Sequence, residues 1–461
     1  MGINPSLDFA EDLDFINLFA KRPDTIKPGL ERIRPAWEKL GMDQYPQLNI
    51  LIAGTNGKGS TAGFLWHLLA ANGIKAGLFT SPHLCLFKER FQCSHSPISQ
   101  SELKHGLHEI KAELGHQLYD ELSFFEVSTL LALKAFNERG CSINILEVGL
   151  GGRLDSTNIV EPSISVVCSI DLDHTEWLGS ELPTIAKEKL GICRKNVPLF
   201  WGEQFTEQKG LSSTLLNHQH EVGMPIYLRE EHFGLDNKSV WAAFDKASME
   251  GNLPSWVLAC SEVIQQNFSL AFGVFAYLKE NVDFVQEACH VNPMQNFSAP
   301  SIPWPPSLIG RFQTIKVDQD IDNSFKIILD VCHNPAAAEQ FVLSYKKLRR
   351  NGKIPGYVSI LGDKDVSKIL KILSEVLDPI YFFEVDSERS LSAMDAKKII
   401  PKPCHVFKDL ESGWSQTYHH KKSDCYAICG SFFAVSEALK VFAAYPENGQ
   451  FISELHGHWH H

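Results

Sequence analysis

The chain has 461 residues, which is too long for one ordinary domain and predicts two. Hydrophobic residues make up 44% of it and charged residues 21%, as in an ordinary globular protein. The formal net charge of −12 argues against nucleic acid or an anionic membrane surface as a partner, although a local basic site can still bind small anions.

The first residues, MGINPSLDFAEDLDFINLFAKRP, carry acidic side chains where a signal peptide needs basic and apolar ones. We find no apolar run of about 18 residues, so no membrane span is expected. The eleven cysteines include no CxxC pair, which favours reduced thiols over a disulfide framework or a zinc site. These features predict a cytoplasmic protein.

Apolar strand-like runs alternate with helical stretches in the first part of the chain, which predicts a largely parallel sheet. The predicted strands are 48–53, 76–80, 144–148, 164–170 and 197–201, and the predicted helices include 63–71 and 124–137. The stretch 203–260 has a mixed pattern and is expected to contain a few short antiparallel strands.

A proline-dense segment, SAPSIPWPPSLIG at 298–310, is the best candidate for a domain boundary because proline resists both helices and central strands. It divides the chain into domains 1–299 and 300–461. After it, strands are predicted at 326–329, 357–360, 380–385 and 426–428, with helices at 336–348, 366–376 and 432–442.

The segment NILIAGTNGKGSTAGFLWHLLAANG at 49–73 has the strand, glycine loop and helix of a phosphate-binding loop. Glycines let backbone N–H groups converge on phosphate oxygens, and the helix N-terminus adds positive potential. Lys58 would reach the terminal phosphates, and Ser60 or Thr61 would hold magnesium. Gly59 is unusual because the common motif has Ser or Thr directly after Lys. We expect a turn over 54–60 and a helix from Thr61; the alternative is a tight turn of a redox-cofactor domain.

The predicted fold is therefore α/β with two domains. The N-terminal one is a P-loop domain with a mostly parallel sheet, and the smaller C-terminal one is a Rossmann-like α/β domain without a phosphate loop of its own.

Polar residues end two further predicted strands. Glu147 ends the strand in NILEVGLGGRLDSTN, and Asp171, Asp173 and His174 end the one in SVVCSIDLDHTEWLG. Because ligands bind at the carboxyl ends of parallel strands, Ser60, Glu147 and His174 are expected to converge. They suit a magnesium–phosphate site, although histidine is an unusual magnesium ligand. The alternative is a set of polar strand ends satisfied within the protein.

Two lysines, Lys187 and Lys189, lie on the predicted helical stretch TIAKEKLGI. From chemistry alone, both are expected to be solvated helix charges.

These motifs resemble the folylpolyglutamate synthase and dihydrofolate synthase family, amide-forming relatives of the Mur ligases. The resemblance is carried by AGTNGKGS, FTSPHL, FKERF, SFFEVSTLLAL, EVGLGGRLDSTN, IDLDH, IAKEKLGI, QQN, GRF, DVCHNP, LGDKDV and CGSFF. In this family Gly59 is the normal form. The resemblance covers nearly the whole chain and is weakest at 203–260 and 281–300. One departure is Cys332, where the motif usually has alanine.

The resemblance implies an ATP-dependent ligase that adds L-glutamate to dihydropteroate, to the γ-carboxylate of a reduced folate, or to both, through an acyl phosphate. It also implies two Mg²⁺ ions, a carbamylated Lys189 and a monomer. Two alternatives stay open: a Mur-like ligase with another amino acid and another carboxylate, and a non-catalytic nucleotide-binding switch protein.

The same resemblance implies roles for individual residues. Catalytic roles fall to Lys58, His174 and Lys189. The implied ATP-binding residues are Gly57, Lys58, Gly59, Ser60, Thr61, Asn267, Arg311 and Asp330. The implied metal ligands are Ser60, Ser81, Glu147 and His174. The implied pterin contacts are Lys27, Pro28, Gly29, Ser123, Phe124, Phe125, Glu126, Leu154, Asp155 and Ser156, and the implied glutamate contacts are His333 and Ser431.

Overall fold

A computed structural model describes residues 28–93, 96–203, 210–229, 231–234, 261–281, 309–320, 323–348, 352–399, 405–417 and 423–444. The chain forms two compact units, divided between residues 307 and 308. The predicted boundary at 299/300 lies outside the described residues. Each unit has its own parallel-rich sheet, so the predicted two-domain α/β fold is confirmed.

The first unit is built on an eight-stranded sheet. Its strands are β1 (Leu48–Ala53), β2 (Ala76–Phe79), β3 (Phe91–Cys93), β4 (Ser96–Pro97), β5 (Ile143–Glu147), β6 (Ile164–Val167), β7 (Leu199–Trp201) and β8 (Ile226–Leu228). Their order is β4-β3-β2-β5-β1-β6-β7-β8. Only the pairs β2–β3 and β3–β4 are antiparallel.

The central strand β1 is apolar apart from Asn49, and its residues are buried except that Asn49 is half-buried. A near-continuous apolar run is the pattern of a parallel strand covered on both faces. Its register places Ile52 opposite Glu147 and Ala53 opposite Val167. The carboxyl ends of β1, β5 and β6 therefore lie side by side, and the segments that follow them begin at one edge of the sheet.

Eight helices of the first unit are described. They are α1 (Ile33–Lys39), α2 (Lys58–Ala71), α3 (Gln100–Glu121), α4 (Phe124–Glu138), α5 (Thr175–Leu178), α6 (Leu182–Leu190), α7 (Leu211–Val222) and α8 (Glu262–Glu280). Helix α4 begins with a capping box, in which the Ser123 hydroxyl accepts from the Glu126 N–H and the Glu126 carboxylate accepts from the Ser123 N–H. This local signal fixes the start of α4 at the predicted residue.

The second unit contains a six-stranded sheet of order β13-β12-β11-β14-β10-β9. Its strands are β9 (Gln313–Asp320), β10 (Asn323–Asp330), β11 (Ile354–Val358), β12 (Leu377–Phe383), β13 (His405–Phe407) and β14 (Cys425–Cys429). The helices are α9 (Pro335–Leu348), α10 (Val366–Leu373), α11 (Ala393–Ile399), α12 (Leu410–Thr417) and α13 (Phe432–Ala444). All neighbouring strands are parallel except β9, which pairs antiparallel with β10 and was not predicted.

One sequence expectation is tested only in part: the described part of 203–260 contains helix α7 and strand β8, which pairs parallel with β7, and the rest of the stretch lies outside the described residues. A second expectation is wrong. Helix α2 begins at Lys58 rather than Thr61, because Gly57 takes a left-handed conformation, with φ of 86°, that caps the helix. Gly59 and Ser60 are therefore helical residues, not turn residues. Among the described helices, none has the length and apolar character needed to cross a membrane.

Candidate active site

The phosphate-loop candidate is packed closely against helix α8. A Cβ built on Gly57 would lie 2.4 Å from Oδ1 of Asn267, so a side chain at this position would collide with α8. The positive φ of Gly57 adds a second reason for glycine there. Gly57 and Asn267, both predicted to bind nucleotide, are thus brought together although they lie 210 residues apart in the sequence.

The interposed glycine, Gly59, faces the carboxylate of Glu147. A Cβ at this position would lie 3.2 Å from Glu147 Oε2, which is tighter than ordinary contact. The same oxygen accepts a hydrogen bond from the backbone N–H of Ser81, at 3.0 Å. Gly59 therefore leaves room for a buried carboxylate beside the first turn of α2, next to the buried Ser60. The structure thus brings Gly59, Glu147 and Ser81 together.

Lys189 is buried, with 3% of its surface exposed, so the expectation that it is a solvated helix charge is wrong. Its ammonium donates to the carbonyl oxygen of Gly54 at 2.9 Å. Lys58 donates to the same oxygen at 3.1 Å and to the Thr55 carbonyl at 3.3 Å. Burial, and then the positive charge of Lys58, lower the pKa of Lys189 to about 7. Lys187, two residues earlier, is exposed as expected.

Thr61 and His174 each lie beside a further polar side chain. The fully buried Thr61 hydroxyl accepts a hydrogen bond from Cys168 Sγ at 3.4 Å. His174 adopts a left-handed backbone with φ of 50° just before α5, and its Nε2 lies 3.9 Å from Asp173 Oδ2. No three His, Cys, Asp or Glu side chains of the described chain are grouped as a metal site. The predicted ligand set contains only two such residues, Glu147 and His174, and stays a prediction.

The three segments expected to contact a pterin are connected in the structure. The Gly29 N–H donates to the Leu154 carbonyl at 3.1 Å, which joins the first segment to the third. Arg32 lies beside the first segment and forms an ion pair with Glu126 of the second, at 3.0 Å. Pro28 is exposed beside them, whereas Lys27 lies outside the described residues. These contacts place parts of all three segments in one region of the first unit.

Several residues of these segments have structural roles of their own. Asp155 is buried and accepts hydrogen bonds from the Leu150 N–H at 2.8 Å and from Thr157, both through its N–H at 2.9 Å and through its hydroxyl at 2.6 Å. Burial raises the pKa of Asp155. Ser156 shares a 2.7 Å hydrogen bond with the Thr129 hydroxyl. Both residues hold the loop that follows β5.

The two phenylalanines at the start of α4 pack differently. The half-buried Phe125 packs against the core, with its ring 5.6 Å from that of Phe79, while the Phe124 ring lies 5.3 Å from the guanidinium carbon of Arg90. Phe124 is therefore the one of the two that meets a charged group.

In the second unit, Asp330 ends strand β10, next to the edge strand β9, and is half-buried. Its carboxylate accepts from the backbone N–H of Phe312 at 2.7 Å and of Cys332 at 2.8 Å. Burial raises the pKa of Asp330 to about 6, against the opposing effect of Arg311. The buried Cys332, which stands in place of the usual alanine, is small enough to fit here.

Arg311, His333 and Ser431 surround the start of α13. The guanidinium carbon of Arg311 lies 5.1 Å from the Phe432 ring centroid, and the His333 ring lies 6.0 Å from the same ring. The Ser431 hydroxyl accepts from the Ala434 N–H at 3.0 Å and so caps α13. Three residues assigned from sequence to two different ligands thus share one neighbour, Phe432.

Sequence reasoning gave no role to His83, Glu89 or Arg90, although all three occur in the motifs FTSPHL and FKERF. Arg90 donates through Nε to His83 Nδ1 at 2.9 Å, and the Glu89 carboxylate accepts from the N–H groups of residues 84–86. The available signal was the presence of a histidine in one motif and of charged residues in the other.

A curated Escherichia coli (strain K12) protein named dihydrofolate synthase/folylpolyglutamate synthase is 33% identical to this chain over 437 residues, covering 94% of the chain and 95% of the relative. The chain belongs to the dihydrofolate synthase/folylpolyglutamate synthase family. A Bacillus subtilis (strain 168) protein of the same name is 28% identical over 433 residues, covering 90% of this chain and 95% of its own length. Residues 310–432 match the family described as Mur ligase, glutamate ligase domain.

Solved structures of dihydrofolate synthase/folylpolyglutamate synthase proteins share the fold. One is a bifunctional enzyme with Mn, AMPPNP and L-glutamate bound, with a TM-score of 0.72 and 29% identity, covering 94% of this chain and 97% of that one. Another is E. coli FolC in complex with DHPP and ADP, with a TM-score of 0.74 and 28% identity, covering 95% and 98% respectively.

Proposed function

We propose that this protein is an ATP-dependent ligase that joins the amine of L-glutamate to the carboxylate of dihydropteroate, of a folate, or of both. The observation that carries the proposal is the position of the Glu147 carboxylate, against Gly59 on the first turn of α2 and on the Ser81 N–H. It supports a phosphate loop with an acidic partner, which is what a nucleotide–metal site needs. Relatives over nearly the full chain carry the names of such ligases.

A divalent metal fits the residues present. Glu147 supplies a carboxylate, and Ser60 and Ser81 supply hydroxyls, which are the hard oxygen ligands that Mg²⁺ prefers. We assign Ser60, Ser81, Glu147 and His174 to this ion or pair of ions. Bound Mg²⁺ would neutralise phosphate charge and orient the terminal phosphoryl group.

Lys189 is proposed to become carbamylated. An amine must lose its proton before it can attack CO₂, and the pKa of about 7 leaves a substantial neutral fraction near neutral pH. The carbamate would turn a buried cation into a carboxylate-like ligand and would remove the repulsion between Lys58 and Lys189. Carbamylation would thereby relieve an electrostatic cost that the unmodified chain carries.

The chain's part in the reaction is mainly positioning and electrostatics. We propose that backbone N–H groups of residues 57–61 hold the phosphates and that Lys58 neutralises charge as the terminal phosphoryl group passes to the substrate carboxylate. The glutamate amine then attacks the acyl phosphate, the new C–N bond forms and inorganic phosphate leaves. Water must be kept from the acyl phosphate, since hydrolysis would waste it.

The remaining roles are assigned by matching motif positions. We assign Asn267, Arg311 and Asp330 to nucleotide binding and His333 and Ser431 to the incoming glutamate. We assign residues 27–29, 123–126 and 154–156 to the pterin, with Asp155 and Ser156 acting through the loop they stabilise. The first unit would thus carry the ATP- and pterin-binding functions, and the second unit would carry the glutamate-ligase function. We also propose that the protein is a monomer and acts in the cytoplasm.

Release of ADP should be measured with dihydropteroate and with tetrahydrofolate in parallel, each with and without L-glutamate, for the wild type and for Lys58→Met. We expect glutamate-dependent release with at least one of the two acceptors and its loss in the variant. Release supported only by cell-wall precursors would favour the Mur-like alternative. Nucleotide binding without glutamate-dependent release would favour a switch protein.

A further inference from the structure

The imidazole of His83 has its hydrogen fixed on one nitrogen. Nε of Arg90 donates to His83 Nδ1 at 2.9 Å. Arginine stays protonated and its nitrogens only donate, so Nδ1 must be the acceptor and the ring hydrogen must reside on Nε2. Within the described part of the chain, Nε2 has no hydrogen-bond partner of its own. His83 therefore presents one oriented N–H donor.

This donor lies on the segment that joins two parts of the proposed site. Ser81, two residues before it, donates its backbone N–H to the Glu147 carboxylate, at the proposed metal edge. At the other end, the Arg90 guanidinium carbon lies 5.3 Å from the ring of Phe124, in the proposed pterin region. The His83 ring also lies 5.9 Å from Phe87, which contacts Phe124 at 5.5 Å.

The segment is held in place by its own hydrogen bonds. The Glu89 carboxylate accepts from the N–H groups of Leu84, Cys85 and Leu86, at 2.7, 2.8 and 2.6 Å. The Arg90 carbonyl accepts from the Thr80 N–H at 3.1 Å, which ties the end of the segment to its beginning. A donor held in this way needs little reorganisation to meet a ligand, as expected of a preorganised contact.

We propose that His83 contacts substrate directly, with its Nε2–H donating a hydrogen bond to an oxygen of the carboxylate that receives the phosphoryl group. The proposal rests on the ligase function proposed above. That carboxylate must lie between the phosphates and the pterin, and His83 lies on the segment that runs from Ser81, beside Glu147, to Arg90, beside Phe124. A single donor can hold one carboxylate oxygen while the other attacks phosphorus. A cation would instead reduce the nucleophilicity of the carboxylate by pairing with it.

Two substitutions test the roles of the two ring nitrogens of His83 separately. His83→Asn puts an oxygen near the Nδ1 position, so it keeps the acceptor for Arg90 and removes the Nε2–H donor. His83→Gln puts an amide near the Nε2 position, so it keeps a donor and removes the acceptor. His232→Asn is the matched control, because the exposed His232 also accepts a backbone N–H through Nδ1, from Leu228 at 3.1 Å.

The experiment measures dihydropteroate binding in the presence of AMPPNP, glutamate-dependent ADP release and the melting temperature for each protein. We expect His83→Asn to lower kcat/KM for the pterin substrate by about 10- to 100-fold, the size of one hydrogen bond to a charged group. Its KM for ATP and its melting temperature should match those of the wild type. His83→Gln should recover part of the loss, and His232→Asn should show none.

The outcomes separate this inference from the proposed function. An active wild type with a His83→Asn variant of equal kcat/KM overturns the role of His83 alone. A His83→Asn variant that loses AMPPNP affinity and melting temperature together also overturns it, because the residue would then only support the segment. A wild type that binds dihydropteroate without turnover, and more tightly than His83→Asn, overturns the ligase function but retains the contact. A wild type that neither binds dihydropteroate nor turns it over overturns both the ligase function and the role of His83.

Discussion

The ammonium groups of Lys58 and Lys189 donate to one and the same acceptor, the carbonyl oxygen of Gly54, at 3.1 and 2.9 Å. Two like charges at one oxygen repel each other, and the burial of Lys189 leaves little solvent to screen them. Burial of the ammonium and, after it, this repulsion lower the pKa of Lys189 to about 7. The arrangement links Lys58 of α2, which we propose contacts the phosphates, to the carbamylation candidate of α6.

Carbamylation of Lys189 should make activity depend on CO₂. We expect ADP release to fall in CO₂-depleted buffer and to recover when bicarbonate is added, because the carbamate is labile and must be re-formed. Lys187→Met, which changes an exposed lysine of the same helix, should behave as the wild type does. Full activity in CO₂-depleted buffer, with a bare amine in a high-resolution density map, would contradict the modification.

Lys189→Met should change how stability depends on pH when both proteins are freed of the carbamate in CO₂-depleted buffer, so that the wild type carries the bare amine. The unfolded chain keeps the lysine proton up to about pH 10, whereas the folded state releases it near pH 7. The wild type therefore gains stability from this group as the pH rises from about 7 to 10, and below pH 7 it carries the full cost of a buried charge. Relative to the wild type, the variant's melting temperature should thus be higher at pH 6 than at pH 9. An equal difference at both pH values would mean that Lys189 does not titrate in this range.

Lys58→Met should abolish phosphoryl transfer without unfolding the protein. The ammonium hydrogen-bonds only to loop carbonyls in the described structure, so its loss should leave the core intact. We expect glutamate-dependent ADP release to fall by about 100-fold or more, the usual effect of removing one preorganised charge contact. Circular dichroism and melting temperature should stay at the wild-type values. A variant with more than a tenth of wild-type turnover would remove Lys58 from the reaction.

Gly59→Ala tests whether the interposed glycine makes room for Glu147. The new methyl group would lie 3.2 Å from a Glu147 carboxylate oxygen and would displace it. We expect the Mg²⁺ concentration for half-maximal activity to rise several-fold. Gly106→Ala is the helical control, since its methyl group would meet the apolar Leu131 side chain, at 3.0 Å, and no carboxylate. An unchanged Mg²⁺ requirement in Gly59→Ala would separate the glycine from the metal site.

Asp155→Asn should destabilise the protein. Asp155 now accepts backbone hydrogen bonds through both carboxylate oxygens, from Leu150 and from Thr157. In the variant an NH₂ group replaces one of these oxygens, so one buried backbone N–H loses its acceptor. We expect a loss of about 1–3 kcal/mol in the free energy of unfolding, measured by urea denaturation. The exposed Asp120→Asn is the control. A variant that keeps wild-type stability but binds the pterin substrate weakly would instead make Asp155 a direct ligand contact.

Local patterns in the sequence were sufficient for much of this structure. The buried strand 48–53 was predicted at its observed bounds, and the starts of α4 and α13 were predicted at the observed residues, because apolar periodicity is a local signal. The antiparallel β9 and the parallel pairing of β8 were missed, because pairing is settled by distant segments. The motifs likewise indicated Gly57, Glu147 and Lys189 as site residues but did not predict which other residues of the chain each would contact.

The sequence by itself determined the alternation of strands and helices, the phosphate loop and the family, because spacing and residue type carry that information along the chain. Only the tertiary structure decided that Lys189 is buried on Gly54, that Gly59 leaves room for Glu147, and that Asp155 holds a loop. The physical reason is that burial, carbonyl direction and pKa depend on groups brought together from remote positions. The structure therefore explains the unusual glycine of GTNGKGS: Gly59 lies where the Glu147 carboxylate approaches helix α2.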